Sequence, residues 1–208
     1  MCASFMIKQN AGRDLSFVNE MKTDISDYYE RTILPYAQAP VVIAETGNVV
    51  MVAMGFSLIP TWIKEAKPKF ATHNARIETV LQKPTWREGF KHRHCLVPIS
   101  EFYEPIYEGA HAGFMVAFFA QHNSLMWAAG IWEQDTFAIL TSEPPPFISG
   151  IGHDRCPIFL NQESGLEWLQ SESKTGEQWL HFLDEHHASL DFSVRNQRAM
   201  RPGWEKRK

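Results

Sequence analysis

Through the middle of this chain apolar residues come in short β-rich runs, and toward both ends they space out at helical intervals. The clearest local signal is the pair of runs at 41–44 and 49–54, which flank Glu45-Thr46-Gly47-Asn48. Two β-branched stretches around a Gly-Asn turn predict a hairpin. Residues 2–9 alternate loosely and predict a first strand that leads the N-terminus into the body of the fold. Over 11–22, Leu15, Phe17, Val18 and Met21 recur at near-helical spacing with Asp14 near the start, which predicts a short amphipathic helix. Residues 23–38 are polar and Tyr-rich and predict a loop with one helical turn.

Beyond the hairpin, residues 55–62 form an extended segment closed by Pro60, followed by a lysine-containing loop at 64–69. Short helical pieces are expected at 74–79 and 84–91, the second started by Pro84. Strands are expected at 94–99, 114–120, 125–132 and 136–141, with a turn at 121–124. The run Pro144-Pro145-Pro146 interrupts the pattern. Helical periodicity returns at 163–170 and 176–187, and the basic end, 198–208, reads as frayed. No repeat, low-complexity tract or long linker divides the chain. The pattern predicts a single α+β domain over 1–208, with a helical portion at 161–197 and a basic tail at 198–208.

Composition narrows the function classes. The 208 residues are 44% hydrophobic and 21% charged, sufficient for a full core. A net charge of -4 lacks the overall basic signature of a strong non-specific nucleic-acid binder, so any such contact must rest on a local cluster. Three cysteines are too few, and odd in number, for a disulfide framework. With no signal-peptide pattern and no apolar run of membrane-spanning length, the expected location is the cytoplasm, bacterial cytosol or nucleoid, without membrane association.

Candidate chemistry begins at Cys2. A small residue at position 2 permits removal of Met1, which would leave an N-terminal amine beside a thiol. Such a 1,2-aminothiol condenses with an aldehyde and closes a thiazolidine ring, which an internal cysteine cannot do. An ordinary chain end is the alternative reading of the same residue. Thr72-His73-Asn74-Ala75-Arg76-Ile77-Glu78-Thr79 gathers amide, guanidinium and carboxylate within a few residues, suited to phosphate binding or equally to a solvated surface segment. In Phe102-Tyr103-Glu104-Pro105 a carboxylate sits among aromatics, where desolvation would raise its pKa for acid or base work; an exposed strand-end Glu is the plainer reading. Gly152-His153-Asp154-Arg155 offers a loop histidine with a neighbouring carboxylate. His92, His94 and Cys95, and His153 with Cys156, cluster as metal ligands can, but without a tight Cys-x-x-Cys pair.

Taken in order, these motifs resemble the SOS-response-associated peptidase family, whose members crosslink themselves to abasic sites in single-stranded DNA. The resemblance rests on Met1-Cys2, on Phe56-Ser57-Leu58-Ile59-Pro60-Thr61-Trp62, and on Asn74-Ala75-Arg76-Ile77-Glu78-Thr79. It continues through His94-Cys95-Leu96-Val97-Pro98 with Phe102-Tyr103-Glu104-Pro105, Ala129-Gly130-Ile131-Trp132-Glu133 and Gly152-His153-Asp154-Arg155-Cys156-Pro157, covering residues 2–160. It implies Cys2 as nucleophile after loss of Met1, Asn74 orienting the Cys2 amine and the sugar, and Glu104 and His153 moving protons. It further implies Arg76 and Arg155 as DNA contacts, with Trp62 and Pro60 as an apolar platform for unstacked bases. The resemblance also implies a mainly antiparallel, barrel-like sheet core with peripheral helices; no metal or organic cofactor is implied, and the expected state is a monomer. The chain departs from the family pattern at Ala3, Ser4, Phe56 and Pro105, which thins the DNA-binding surface and spares the four chemical positions. Two other readings stay open: a cysteine peptidase or amidase acting on peptides, and a non-catalytic DNA- or protein-binding member.

Overall fold

The computed structural model describes residues 4–9, 15–65, 67–121 and 124–207. Its strands are β1 (Ser4–Met6), β2 (Glu20–Met21), β3 (Thr32–Ile33), β4 (Gln38–Glu45), β5 (Asn48–Phe56), β6 (Asn74–Arg76), β7 (His94–Ile99), β8 (Glu101–Pro105), β9 (Phe114–Ala120), β10 (Met126–Glu133), β11 (Thr136–Ser142), β12 (Cys156–Pro157), β13 (Phe159–Leu160) and β14 (Phe192–Ala199). The helices are α1 (Pro84–His92), α2 (Pro146–Ile151), α3 (Gln162–Trp168) and α4 (Gly176–His186).

The predicted hairpin is β4 and β5, paired from Gln38↔Gly55 to Glu45↔Asn48. Its two-residue turn has Thr46 at φ 49° and Gly47 at φ 84°, the left-handed pair whose twist matches that of the flanking strands. From this hairpin a larger sheet grows in the order β12-β11-β10-β7-β4-β5-β2. β5 also runs parallel to β11 at Thr136↔Gly55 and Phe137↔Phe56, so β11, β10, β7, β4 and β5 close into a ring. Closure removes the open edges that an antiparallel sheet would expose. The fold is thus mixed α/β and mostly sheet, as expected from the pattern.

A second sheet, β14-β9-β8-β1-β3, lies beside the ring. Phe56 joins the two: its ring meets Phe5 of β1 edge-on at 5.3 Å and stacks on Phe137 of β11 at 5.2 Å. Phe102 of β8 stacks on Phe118 of β9 at 5.2 Å and packs against Phe159 and Phe192. All of these rings are buried, each burial contributing roughly 1.5–3 kcal/mol.

Several expectations are corrected. Residues 15–22 form no helix; 10–14 lie outside the described residues. Phe17 instead packs on Trp127 at 4.9 Å, and Glu20 and Met21 pair with Val50 and Met51 as an extra parallel strand. The helical piece expected at 74–79 is half strand: Asn74–Arg76 pairs parallel with β11, and only Ile77–Thr79 makes a 3-10 turn. The helical portion placed at 161–197 ends earlier, since 192–197 belong to β14, whose alternation was masked by its polar, exposed outer residues. The basic end is not frayed among the described residues: β14 continues to Ala199 on β9, and Trp204–Arg207 forms a 3-10 turn.

The helical layer is fastened at one buried histidine. His94 lies flat on Trp168 of α3, with centroids 3.4 Å apart and planes within 5°, and the edge of Trp179 of α4 meets it at 4.9 Å. Its Nδ1 is 2.6 Å from the Trp168 carbonyl and its Nε2 is 2.7 Å from the Phe90 carbonyl. Burial disfavours the imidazolium, the two carbonyls favour it, and burial prevails, so the pKa falls to about 4. Because the unfolded chain takes up this proton at higher pH than the folded one, stability falls as pH drops from about 6.5 toward 4. The loss is about 3 kcal/mol when complete. Urea unfolding at pH 7.0 and pH 4.5, repeated on His94→Asn, checks this: the substitution removes most of the wild-type pH slope. A slope that His94→Asn leaves unchanged would mean that other groups carry it.

Candidate functional site

Strand β8 presents side chains alternately to its two faces. One face takes Glu101 and Tyr103; the other takes Phe102 and Glu104. Both carboxylates are buried, and a buried carboxylate persists only with compensating partners. Glu101 is met by the Lys8 ammonium and by both terminal nitrogens of Arg195, at 2.8 and 2.6 Å. The Tyr103 hydroxyl donates to it at 3.1 Å. Burial raises the Glu101 carboxyl pKa, and the two cations more than offset this, leaving it below the ordinary value. Lys8 follows β1 and Arg195 lies on β14, so this one carboxylate ties three strands of the sheet together.

On the opposite face, Glu104 Oε1 lies 3.1 Å from His153 Nε2, and both residues are buried. Local chain geometry delivers His153 to that point. Pro146 starts α2 at a position where its missing N–H costs nothing. Gly152 ends the helix at φ 98° and donates its N–H to the Ile148 and Ser149 carbonyls. A Cβ at Gly152 would stand 3.0 Å from the Glu108 carbonyl oxygen, so glycine is required both by the backbone angle and by the close approach. The chain then turns inward, and His153 is the next residue.

Asn74, at the start of β6, is buried and pairs across from Ile139. Two residues later Arg76 is exposed at the strand end. Arg155, expected on DNA, is instead buried as a strut: its fork meets Glu78 at 2.8 and 3.0 Å, and it donates to the Thr141 carbonyl at 2.6 Å. It thereby holds the turn after β6 against β11 and the loop after α2. Burial pushes the Glu78 carboxyl up and the Arg155 fork pulls it further down, for a net lowering. Pro60 is buried, whereas Trp62 is 58% exposed. The loop between them is pinned by the Ile59 N–H on Thr136 Oγ1 and the Thr61 N–H on Glu133 Oε1, at 2.8 and 2.9 Å. Leu34, Tyr36 and Phe70 are also exposed, with the Lys67 ammonium 5.2 Å from the Tyr36 ring centre.

Cys2 lies outside the described residues. The chain enters them at Ser4, which pairs opposite Tyr103, the neighbour of Glu104. The structure therefore joins Glu104 to His153 directly, brings the start of β1 alongside the same strand, and places Asn74 on the adjoining ring.

His73 belongs with this group and was not singled out by spacing. Burial lowers its pKa while the Glu104 charge raises it, and its ring lies 5.7 Å from Phe56. Its position beside Asn74 in the polar stretch was the available signal. The Lys8–Glu101–Arg195 cluster had none, since its members are 94 residues apart at the widest bond. Among the described residues no group of three or more His, Cys, Asp or Glu could hold a metal ion.

Comparison with known proteins then decides the family. A family model described as SOS response associated peptidase (SRAP) matches residues 1–197. The chain belongs to the SRAP family. Among SRAP relatives, the abasic site processing protein YoaM of Bacillus subtilis is 27% identical over 150 residues, which is 68% of this chain and 66% of that protein. The abasic site processing protein HMCES of Gallus gallus is 27% identical over 158 residues, 61% of this chain and 47% of that protein. The chain thus matches a little under two thirds of the Bacillus relative and about half of the chicken one. A crystal structure of a Bacteroides thetaiotaomicron protein superposes with TM-score 0.72 at 20% identity, covering 95% of this chain and 92% of that one. One from Bordetella bronchiseptica gives 0.73 at 16%, covering 95% and 100%. The SRAP fold is therefore shared far more widely than the sequence.

The two cysteines among the described residues are chemically quiet. Cys95 and Cys156 are free and buried, and burial raises both thiol pKa values well above the ordinary range. Iodoacetamide at pH 8 should leave both unlabelled in the folded protein and label them in 6 M guanidinium, as read by peptide mass. Labelling of Cys156 in the native state at the denatured rate would contradict the burial described.

Proposed function

We propose that this protein covalently traps abasic sites in single-stranded DNA through Cys2, after Met1 has been removed. The observation that carries the reading is the buried Glu104–His153 pair on the strand beside the start of β1, in a chain of the SRAP family whose relatives are named abasic site processing proteins. The Cys2 amine would attack the aldehyde of the ring-opened sugar and form an imine with loss of one water. The Cys2 sulfur then adds to the imine carbon, its proton passing to the nitrogen, and a thiazolidine closes. Glu104 and His153 are suited to this traffic, since a carboxylate and an imidazole 3.1 Å apart can hold one proton between them and release it in either direction. Asn74 would orient the amine and the sugar.

Arg76 would take a flanking phosphate, and exposed Trp62 would support an unstacked base. Lys64, Lys67 and Lys69 lie in the same loop and supply local positive charge that the chain lacks overall. Arg155, enclosed by Glu78 and Thr141, serves this surface by holding its frame.

The test is a denaturing gel after heating, with single-stranded DNA carrying one abasic site, and intact mass to read the N-terminus. A heat-stable adduct is expected from wild type and none from Cys2→Ala. Glu104→Gln and His153→Gln should each slow adduct formation by about 10²–10⁴-fold. A wild-type protein with Cys2 at its terminus that forms no adduct, yet turns over fluorogenic peptides, would replace this reading with the peptidase one.

A further inference from the structure

The end of the chain builds a second polar cleft on the sheet, on the face of β8 opposite Glu104. It has a volume of about 330 Å³ and is lined by Pro105, Tyr107, Met115, Arg198, Arg201 and Trp204, among others. Pro105 pairs with Met115, and Met115 with Arg198, so the three stand in one row across β8, β9 and β14. A register shift between Asn196 and Arg198 sets that row, and such a bulge re-aims the side chain that follows it.

The far wall is equally specific. The Met200 N–H donates to the Gly113 carbonyl at 2.7 Å. The Trp204 indole then lies directly on Gly113, where a Cβ would stand 3.0 Å from the ring, and Gly113 has φ 83°. Tyr107 lies 6.4 Å from Trp204 at 44°, so the two rings flank the cleft without stacking on each other. Among the described residues no carboxylate lines it, although the chain as a whole carries a net charge of -4.

Two guanidinium groups beside two unstacked aromatic rings, in a space of this size, match a nucleoside phosphate: planar base against ring, phosphate against fork. We infer that this cleft is a subsite for one nucleotide, filled by a unit of the single-stranded DNA whose lesion is handled at the neighbouring site. It rests on the reading of single-stranded DNA as partner. Pro105, which lines it, is the last residue of β8 and follows Glu104, so a DNA strand passing round that end of β8 would join the two faces. Arg198, Arg201 and Trp204 lie beyond the residues matched by the family model, while Pro105, Tyr107 and Met115 lie within them.

The test is run on Cys2→Ala protein, so that the result does not depend on covalent chemistry. Anisotropy of a labelled, undamaged oligo-dT 12-mer is titrated at several salt concentrations, with thermal melting alongside to confirm folding. Arg198→Gln/Arg201→Gln should weaken binding about tenfold or more and reduce the salt slope by about 1.4, the value for two phosphate contacts on a single strand. Trp204→Ala should weaken binding by about tenfold, with Trp204→Phe restoring most of it. Competition by dTMP at millimolar concentration would identify a cleft that takes a free nucleotide as well; its absence would restrict the occupant to a unit within a strand. Unchanged affinity and salt slope in the folded arginine variant overturn the inference. So does a wild-type chain that binds no oligo-dT, or displacement by polyglutamate as readily as by unlabelled oligo-dT.

Discussion

Two buried carboxylates on one short strand are the constraint from which the site follows. Glu101 and Glu104 stand three residues apart in β8 and face opposite ways, and neither can stay ionised in the interior without a partner brought from elsewhere in the chain. For Glu101 the partners are Lys8 and Arg195, which bind the first and last strands of the smaller sheet to its middle. For Glu104 the partner is His153, which the tight end of α2 turns inward. One carboxylate fixes the sheet, and the other meets a buried imidazole on the opposite face. The same five residues thus hold both pairings.

The ring of strands performs a different task. By closing β5 onto β11 it positions Phe56, and Phe56 meets both Phe5 of β1 and His73 in edge-to-face contact. The N-terminal strand and the Asn74 segment are therefore located by contact with a single aromatic side chain. Arg155 completes the frame from below by clasping the turn that follows Asn74. The aromatic contacts are apolar and buried, so the geometry they hold does not depend on surface charge or on salt.

Much of this was legible in the sequence where the physics is local. The hairpin, α1 at Pro84 and the strands expected at 94–99, 114–120, 125–132 and 136–141 were set by patterns contained within a few residues, whereas β8 was not among the expected strands. The proximity of Glu104 and His153, 3.1 Å apart, was anticipated by the ordered motifs rather than by either residue's local pattern. What was not legible was settled by distant partners. Phe17 found Trp127 and drew its segment out of a helix. Arg195 found Glu101 and made a strand out of a polar stretch. Arg155 looked like a surface cation until Glu78 enclosed it. In each case the deciding contact spans about 80 residues or more, which no window along the chain can register.

The position of β1 has a consequence for how the protein is made. β1 lies between β8 and β3, an interior place in its sheet, although it precedes every other described strand. Its longer partner, β8, starts at residue 101, so during translation the N-terminal strand must wait for nearly half the chain before it can dock. Pairings of such long sequence separation close late. Until then Ser4–Met6 has no long strand to pair with. The topology thus completes the smaller sheet only after most of the chain has emerged, with β14 the last strand to join it.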